Sequence, residues 1–279
     1  MLPQFYIDDV IKRAIQEDIN YIDLATDLLI AGDDMSTAEF VSKAEGVAAG
    51  VDAALHTFEL LDPEMVTEKL INDGEDVKKG NIIARIKGRT ATILKGERTA
   101  LNLLCHMSGV ATATNRLVKA AGRTGHARIV DTRKTLPGLR ALQKYAVLCG
   151  GGFNHRFNLS DAAMLKDNHI DAYGGITPAV EALRASLGHM AKIEVEARTE
   201  ADMLEAIECG VEVIMLDNMS VEEMAHCVEV CDGRAILEAS GNIDIETVER
   251  VSATGVDIIS SGALTHSVKA FDISLKIRK

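Results

Sequence analysis

Residues 193–241 read IEVEARTEADMLEAIECGVEVIMLDNMSVEEMAHCVEVCDGRAILEASG. Three short apolar runs, each closing on a polar residue, alternate with segments of helical spacing, which predicts strand, helix, strand, helix, strand. Glu196, Asp217 and Glu238, followed by Ser260 in DIISSG, recur at intervals of 21, 21 and 22 residues. A βα period this regular predicts parallel strands joined by right-handed crossovers. Toward the N-terminus, ARIVDT, ending near Asp131, and AMLKD, ending near Lys166, have the same strand-then-polar form. In a closed or nearly closed α/β barrel the C-terminal strand ends share one mouth, so polar residues far apart in sequence converge there.

Upstream of Gly122 the rhythm differs. Residues 3–18 place Phe5, Ile7, Val10, Ile11 and Ile15 at helical spacing, and Asp23 to Ile30 reads as a loop leading to a strand. From Ser36 to about Lys87 the pattern is strands with one helix. Its last part, Asp73 to Gly88, predicts two short strands about a turn and resembles the hammerhead strands of biotinyl and lipoyl carrier domains. The lysine that those carriers modify at a hairpin tip is missing, so the likeness implies a β-sandwich and not a swinging arm. Glu97 to Ala121 predicts a long helix in which Leu101, Leu104 and Cys105 face a core while Ser108, Gly109, Ala111 and Ala113 admit a close neighbour. Arg98 falls in its first turn on this reading, where a cation opposes the helix dipole: either a solvated arginine or one held to meet an anion.

The 279 residues carry 47% hydrophobic and 26% charged residues and four prolines, the composition of an ordinary globular chain able to bury a large core. A formal net charge of −12 argues against nucleic acid or an anionic membrane as partner, so an anionic ligand needs a local cluster of cations. Five cysteines with no CxxC pair fit reduced thiols in the cytoplasm. Cys227 and Cys231, one helical turn apart with His226 next to the first, read as a metal pair or, more commonly, as packed thiols. The amphipathic N-terminus has no apolar leader segment, and no window has the length of a membrane span.

The chemistry concentrates in CGGGFNHRFNLSDAAMLKDNHI, residues 149–170. Gly150, Gly151 and Gly152 let backbone approach a ligand or adopt positive φ, and the cations after them can grip an anion; the plain alternative is a glycine loop with solvated charges. The polar strand ends add Thr132, Arg133 and Lys134 to His155, Arg156 and Lys166 on a cationic side, and Glu196 and Asp217 on an acidic one. Several cations suit a substrate with more than one carboxylate or phosphate, and two carboxylates suit Mg²⁺ or a developing positive charge. Ser240-Gly241 and Ser261-Gly262, each ahead of a helix, have the form of a barrel's phosphate grip. Taken singly, Lys134 also reads as a surface lysine, Glu196 as a partner of Lys192 or Arg198, and His169 as a packed ring. His106, His126 and His189 read as structural.

DTRKTLPGLR (131–140), GGGFNHRFNLSDAAMLKDNHI (150–170), IEVEA (193–197), MLDNM (215–219) and LEASGNI (237–243) resemble, in order and spacing, the motifs of the quinolinate phosphoribosyltransferases, the carboxylating nicotinate-nucleotide pyrophosphorylases of NAD biosynthesis. The resemblance implies an α/β chain: an N-terminal α/β sandwich over residues 1–106, an incomplete, open α/β barrel of parallel strands over 107–266, and a tail, 267–279, packing back on the sandwich. It implies a homodimer, with a higher oligomer left open, in which one sandwich caps the other barrel's mouth. Arg98 of the partner subunit would then join Thr132, Arg133, Lys134, His155, Arg156 and Lys166 around quinolinate and the phosphates. Glu196 and Asp217 would hold ribose and Mg²⁺, directly or through water, and Ser240, Gly241, Ser261 and Gly262 the 5′-phosphate. Lys134, Lys166, Glu196 and Asp217 would be the catalytic residues, with no organic cofactor and with cytoplasmic residence. Two departures from the family pattern are Asn158, where many members have glycine, and EDINYIDLAT (17–26), which lacks glycines common after the first helix. The competing readings are a sister phosphoribosyltransferase of the molybdenum-operon type, with another substrate, and a non-catalytic carrier or binding protein.

Overall fold

The computed structural model describes residues 3–278. The chain runs α1 Gln4–Asp18, α2 Leu24–Leu29, β1 Met35–Ser42, β2 Gly46–Val47, α3 Val51–Leu61, β3 Val66–Lys69, β4 Asp76–Val77, β5 Ile82–Arg89 and α4 Thr90–Ala121. It continues β6 Arg128–Val130, α5 Arg140–Cys149, β7 Ala163–Leu165, α6 Asp167–Tyr173, α7 Ile176–Ser186, β8 Ile193–Ala197, α8 Glu200–Glu208 and β9 Val213–Asp217. It ends α9 Val221–Cys231, β10 Ile236–Ser240, α10 Val248–Ser252, β11 Ile258–Ser260, α11 Ala263–His266 and β12 Ile273–Arg278. Two compact units result: one takes in the chain through Asn115, Thr135–Gly151 and the chain from Leu264, the other Arg116–Lys134 and Gly152–Ala263.

The first unit holds an antiparallel sheet ordered β12-β1-β5-β3. Alternation along β1 buries Ala38, Phe40 and Ser42 on one face, and Phe40 meets the edge of Phe58 from α3 with ring centroids 6.1 Å apart. Ile83 and Ile86 of β5 and Ile93, Leu101 and Leu104 of α4 complete that core. The C-terminal strand β12 pairs with β1 from Thr37↔Arg278 to Ser42↔Ile273. Small residues on α4 admit a neighbour as expected: Ser108 Oγ accepts the Ala49 N–H at 3.1 Å, Thr112 Oγ1 that of Val47 at 3.0 Å, and Gly109 packs on the Lys269 carbonyl.

Three local expectations are corrected. Asp23 to Ile30 is not a loop but α2, because the Asp23 side chain caps the N–H groups of Ala25 and Thr26. The long helix begins at Thr90 and not near Glu97, so Arg98 lies beyond its first turn and the dipole argument lapses. Gly96 masked that start; it sits inside the helix because a Cβ there would come within 2.6 Å of the Phe58 ring. Gly150, third, has φ −75° and serves packing, not ligand approach. A Cβ on it would fall 2.4 Å from the Ala111 carbonyl oxygen and 2.6 Å from Thr114 Cβ. Gly150→Ala is therefore expected to cost about 1–3 kcal/mol by overpacking, read as a lower urea midpoint at unchanged slope.

The second unit is a six-stranded parallel sheet ordered β6-β11-β10-β9-β8-β7. The described residues form no ladder between the edge strands β6 and β7; on its free side β6 meets only Phe153, ahead of β7, in an isolated bridge from Val130, so the barrel is open. Ile129, Ile193, Val195, Ala197, Ile214, Leu216, Leu237, Ala239 and Ile259 alternate onto one face and are almost wholly buried. At roughly 25 cal/mol per Å² of apolar area, this face anchors the unit. The opposite face carries Met164, Glu194, Glu196, Met215, Asp217, Glu238, Ser240 and Ser260, and register brings them side by side: Met164 with Glu194, Glu196 with Met215, Met215 with Glu238, and Asp217 with Ser240. One period-2 pattern thus builds an apolar outer face and a polar interior.

Candidate active site

A cavity of about 390 Å³ opens over the polar face, lined entirely from the second unit. Four basic side chains line it: Arg133 and Lys134 after β6, Arg156 before β7, and Lys166 after β7. Glu196, Asp217 and Glu238 come from β8, β9 and β10, with Thr132, Ser240 and Ser260 as hydroxyls and Met164 and Met215 as apolar wall. Thr132 Oγ1 accepts the Lys134 N–H at 3.0 Å and tightens that turn. Lys166 closes β7 and caps α6, and the His169 Nδ1 accepts the Lys166 N–H at 3.1 Å, so His169 is an exposed cap rather than a packed ring.

Charge is arranged with a bias. Arg156 donates to the Ala162 carbonyl at 2.9 Å, and its pKa is drawn below the ordinary arginine value by burial and by the charge of Arg133. Two guanidinium groups near enough to repel favour an anion that neutralises both. Lys166 Nζ stands 3.4 Å from Glu196 Oε2, tying the basic side to the acidic one. Asp217 accepts from its neighbour Asn218 at 2.9 Å, and Asn218 adopts φ 56° so that its N–H reaches the Ser240 carbonyl.

His155 also lines the cavity, and its ring has protein partners as well. Its Nδ1 accepts the Arg156 N–H at 2.8 Å, which leaves the ring proton on Nε2. Nε2 faces Glu194 Oε2 at 3.1 Å and Glu238 Oε2 at 3.5 Å, so both nitrogens are directed at the protein. Glu194 and Glu238, 6% and 1% exposed, together with Ser260 were not singled out from sequence as site residues. The available signal was the two-residue step in IEVEA: alternation puts Glu194 on the same face as Glu196.

Burial pushes the Glu238 carboxyl up to about 7, with the Glu194 charge adding to it and His155 and Ser260 opposing. A carboxyl raised in the folded state keeps a proton that the unfolded chain, near 4.5, has already lost. Its contribution to stability is complete at low pH and lost as pH rises through about 7. Urea titrations at pH 5 and pH 8 are expected to show a larger fall in stability for the wild type than for Glu238→Gln.

Ser261 and Gly241 have scaffold contacts. Ser261 Oγ donates to the Ile243 carbonyl at 2.9 Å and its N–H to the Val130 carbonyl at 3.1 Å, which occupies both donors. Gly241 has φ 114°, and a Cβ there would lie 2.2 Å from Asn218 Oδ1, so close docking of the loops after β9 and β10 requires glycine. Arg98, Gly241, Ser261 and Gly262 are not among the residues lining the cavity; Arg98 belongs to the first unit. Among the described residues one group of three metal-capable side chains lies within 4.8 Å, His155, Glu194 and Glu238, but a protonated Nε2 does not prepare it for an ion. Glu196 and Asp217 offer carboxylate oxygens on adjacent strands, donors suited to a hard cation that keeps water and substrate oxygens as its other ligands. Cys227 and Cys231 are buried in α9, the first against Met219 Sδ and the second donating to the Ala235 carbonyl, while His226 faces Glu200; they are packed thiols.

Residues 110–276 match the C-terminal domain of quinolinate phosphoribosyl transferase and residues 23–108 its N-terminal domain. The chain belongs to the quinolinate phosphoribosyltransferase family. A relative in Bacillus subtilis, named a probable nicotinate-nucleotide pyrophosphorylase (carboxylating), is 44% identical over 94% of this chain and 90% of its own. A Nicotiana tabacum quinolinate phosphoribosyltransferase (decarboxylating) is 42% identical over 99% of this chain and 83% of its own. The crystal structure of NadC from Streptococcus pyogenes superposes with a TM-score of 0.96 at 40% identity, covering 100% of this chain and 98% of that one. As in that fold, an antiparallel sheet domain precedes a parallel six-stranded α/β sheet. A relative from Arabidopsis thaliana, 42% identical over 99% of this chain and 84% of its own, is named as chloroplastic. In this quinolinate phosphoribosyltransferase family member no helix of the described residues is long and apolar enough to cross a membrane.

Proposed function

We propose that the enzyme transfers the phosphoribosyl group of phosphoribosyl pyrophosphate to quinolinate with loss of CO₂, giving nicotinate mononucleotide and pyrophosphate in NAD biosynthesis. The observation that carries this is the cavity itself: four basic side chains face Glu196 and Asp217 across the open end of a parallel sheet. Arg133, Arg156 and Lys166 are suited to the two ring carboxylates, with Lys134 and Thr132 at the phosphates and Ser240 and the backbone of Gly241 and Gly262 at the 5′-phosphate. His155 lines the same cavity, and Ser261 holds the loop before Gly262.

As the pyridine nitrogen attacks the anomeric carbon, the bond to pyrophosphate breaks and positive charge grows on the sugar. Glu196 and Asp217 stabilise that charge, and lysine and arginine offset the charge on the leaving group. Glu196 and Asp217 would hold Mg²⁺, directly or through water, and the ion would supply further neutralisation of the pyrophosphate. The electron pair left when CO₂ departs stays on the ring carbon next to the quaternary nitrogen, whose positive charge stabilises it, and that carbon takes a proton; no organic cofactor enters. Incubation with quinolinate, phosphoribosyl pyrophosphate and Mg²⁺ is expected to release CO₂ and form the mononucleotide, whereas nicotinate is not expected to substitute. Turnover of nicotinate alone would favour a sister phosphoribosyltransferase instead.

We further propose a homodimer in which Arg98 of the partner subunit completes each site. Exposed Phe5, Tyr21, Leu24, Leu28 and Leu29 at the N-terminus, and exposed Phe157, Leu159 and Tyr173 in the loops after α5 and in α6, favour such burial. Mixing inactive Arg98→Ala and Lys166→Ala proteins under subunit exchange is expected to restore about a quarter of wild-type activity, because half the dimers then carry one intact site. No recovery, with exchange verified, would mean that Arg98 does not act across the subunit boundary. Residence in the cytoplasm is supported by five cysteines that are all free thiols.

A further inference from the structure

We propose that Glu194 is a positioning residue that acts through the His155 ring to set Arg156 toward the ring diacid. The inference rests on the reading above that Arg156 binds a substrate carboxylate. The chain of contacts is continuous and lies within one unit. Glu194, on β8, is 6% exposed and presents Oε2 at 3.1 Å and Oε1 at 3.4 Å to His155 Nε2. A carboxylate accepts only, so it selects the imidazole tautomer with its proton on Nε2. That choice leaves Nδ1 an acceptor, and Nδ1 takes the Arg156 N–H at 2.8 Å. The His155 N–H is held in turn by Asp131 Oδ1 at 2.9 Å, so the peptides on both sides of His155 are fixed. The Arg156 guanidinium then reaches the Ala162 carbonyl at 2.9 Å and the Met164 sulfur at 3.4 Å at the cavity wall. With the other tautomer, Nδ1–H and the Arg156 N–H would be two donors facing each other, and the peptide would have to turn. Glu238 stands farther from the ring, at 3.5 Å, and is the weaker selector.

Glu194 also lies near enough to Arg156 to act on its charge directly. The two routes separate in a double-mutant cycle. Glu194→Gln is expected to raise KM for quinolinate about 10- to 100-fold while kcat and KM for phosphoribosyl pyrophosphate stay within a few-fold, the signature of lost ground-state positioning. In a His155→Phe background, where the ring has no nitrogen to relay the effect, Glu194→Gln is expected to add little. Long-range ¹H–¹⁵N spectra of the histidine rings are expected to show Nε2–H for His155 in the wild type and a shift toward Nδ1–H, or a mixture, in Glu194→Gln. Glu194→Asp, which keeps the acceptor-only carboxylate where glutamine adds a donor, should retain Nε2–H and covers the case in which the glutamine variant folds poorly. The proposal is overturned if the tautomer is unchanged in Glu194→Gln, or if the rise in KM persists in the His155→Phe background. Arg156→Ala tests the underlying reading separately: an unchanged KM for quinolinate would remove Arg156 from the diacid, whatever the histidine spectra show.

Discussion

Lys166→Ala is expected to lower kcat/KM for quinolinate and phosphoribosyl pyrophosphate by about 10³-fold while the protein stays folded. Removing a charged partner from a desolvated contact costs about 2–5 kcal/mol, which is tenfold for every 1.4 kcal/mol. Here the loss is compounded, because Lys166 Nζ lies 3.4 Å from Glu196 Oε2 and tempers that carboxylate. Without it, an unneutralised acid faces an incoming polyanion. Stability should hardly change: the Lys166 side chain is 47% exposed, and exposed ion pairs contribute about 0–1 kcal/mol. Steady-state kinetics with thermal melts as a control check both halves. Lys166→Arg keeps the charge with a different geometry and is expected to recover only part of the loss. Activity within tenfold of wild type in Lys166→Ala would remove this lysine from the reaction.

Glu196→Gln is expected to act on a different parameter. If its carboxylate meets positive charge that exists only as the glycosidic bond breaks, kcat should fall about 10²- to 10³-fold while KM for quinolinate changes little. A rise in KM with kcat preserved would instead make Glu196 a ground-state ligand. Asp217→Asn supplies the comparison for the metal. Whichever variant needs the higher Mg²⁺ concentration for half-maximal rate marks the carboxylate closer to the ion, since a neutral amide is the poorer ligand for a hard cation.

The strand ends at Asp131, Lys166, Glu196, Asp217, Glu238 and Ser260 could be found in the sequence because a strand's burial is a local pattern, and β6 to β11 fall where those runs predicted. The helical spacing of residues 3–18 was equally visible and becomes α1. The glycines misled for a common reason. Gly96 and Gly150 stand where they do because Phe58 and Ala111 approach them, and no nearby residue announces that contact. Arg133, Lys134, Arg156 and Lys166 were recognisable as a basic set because the period of the strands forces their convergence at one mouth. The fate of His155 was not recognisable, since it depends on carboxylates 39 and 83 residues farther along the chain.

The sequence by itself therefore determined the order of elements, the parallel sheet, the family and the basic and acidic sides of the site, because periodicity and strand-end polarity are carried by neighbouring residues. Tertiary structure alone decided that Glu194 and Glu238 meet the His155 ring at the cavity, and that Ser261 and Gly241 hold loops together. Those outcomes depend on distances through space between separate strands, where burial and partner geometry set the proton's position and the fit of a single Cβ.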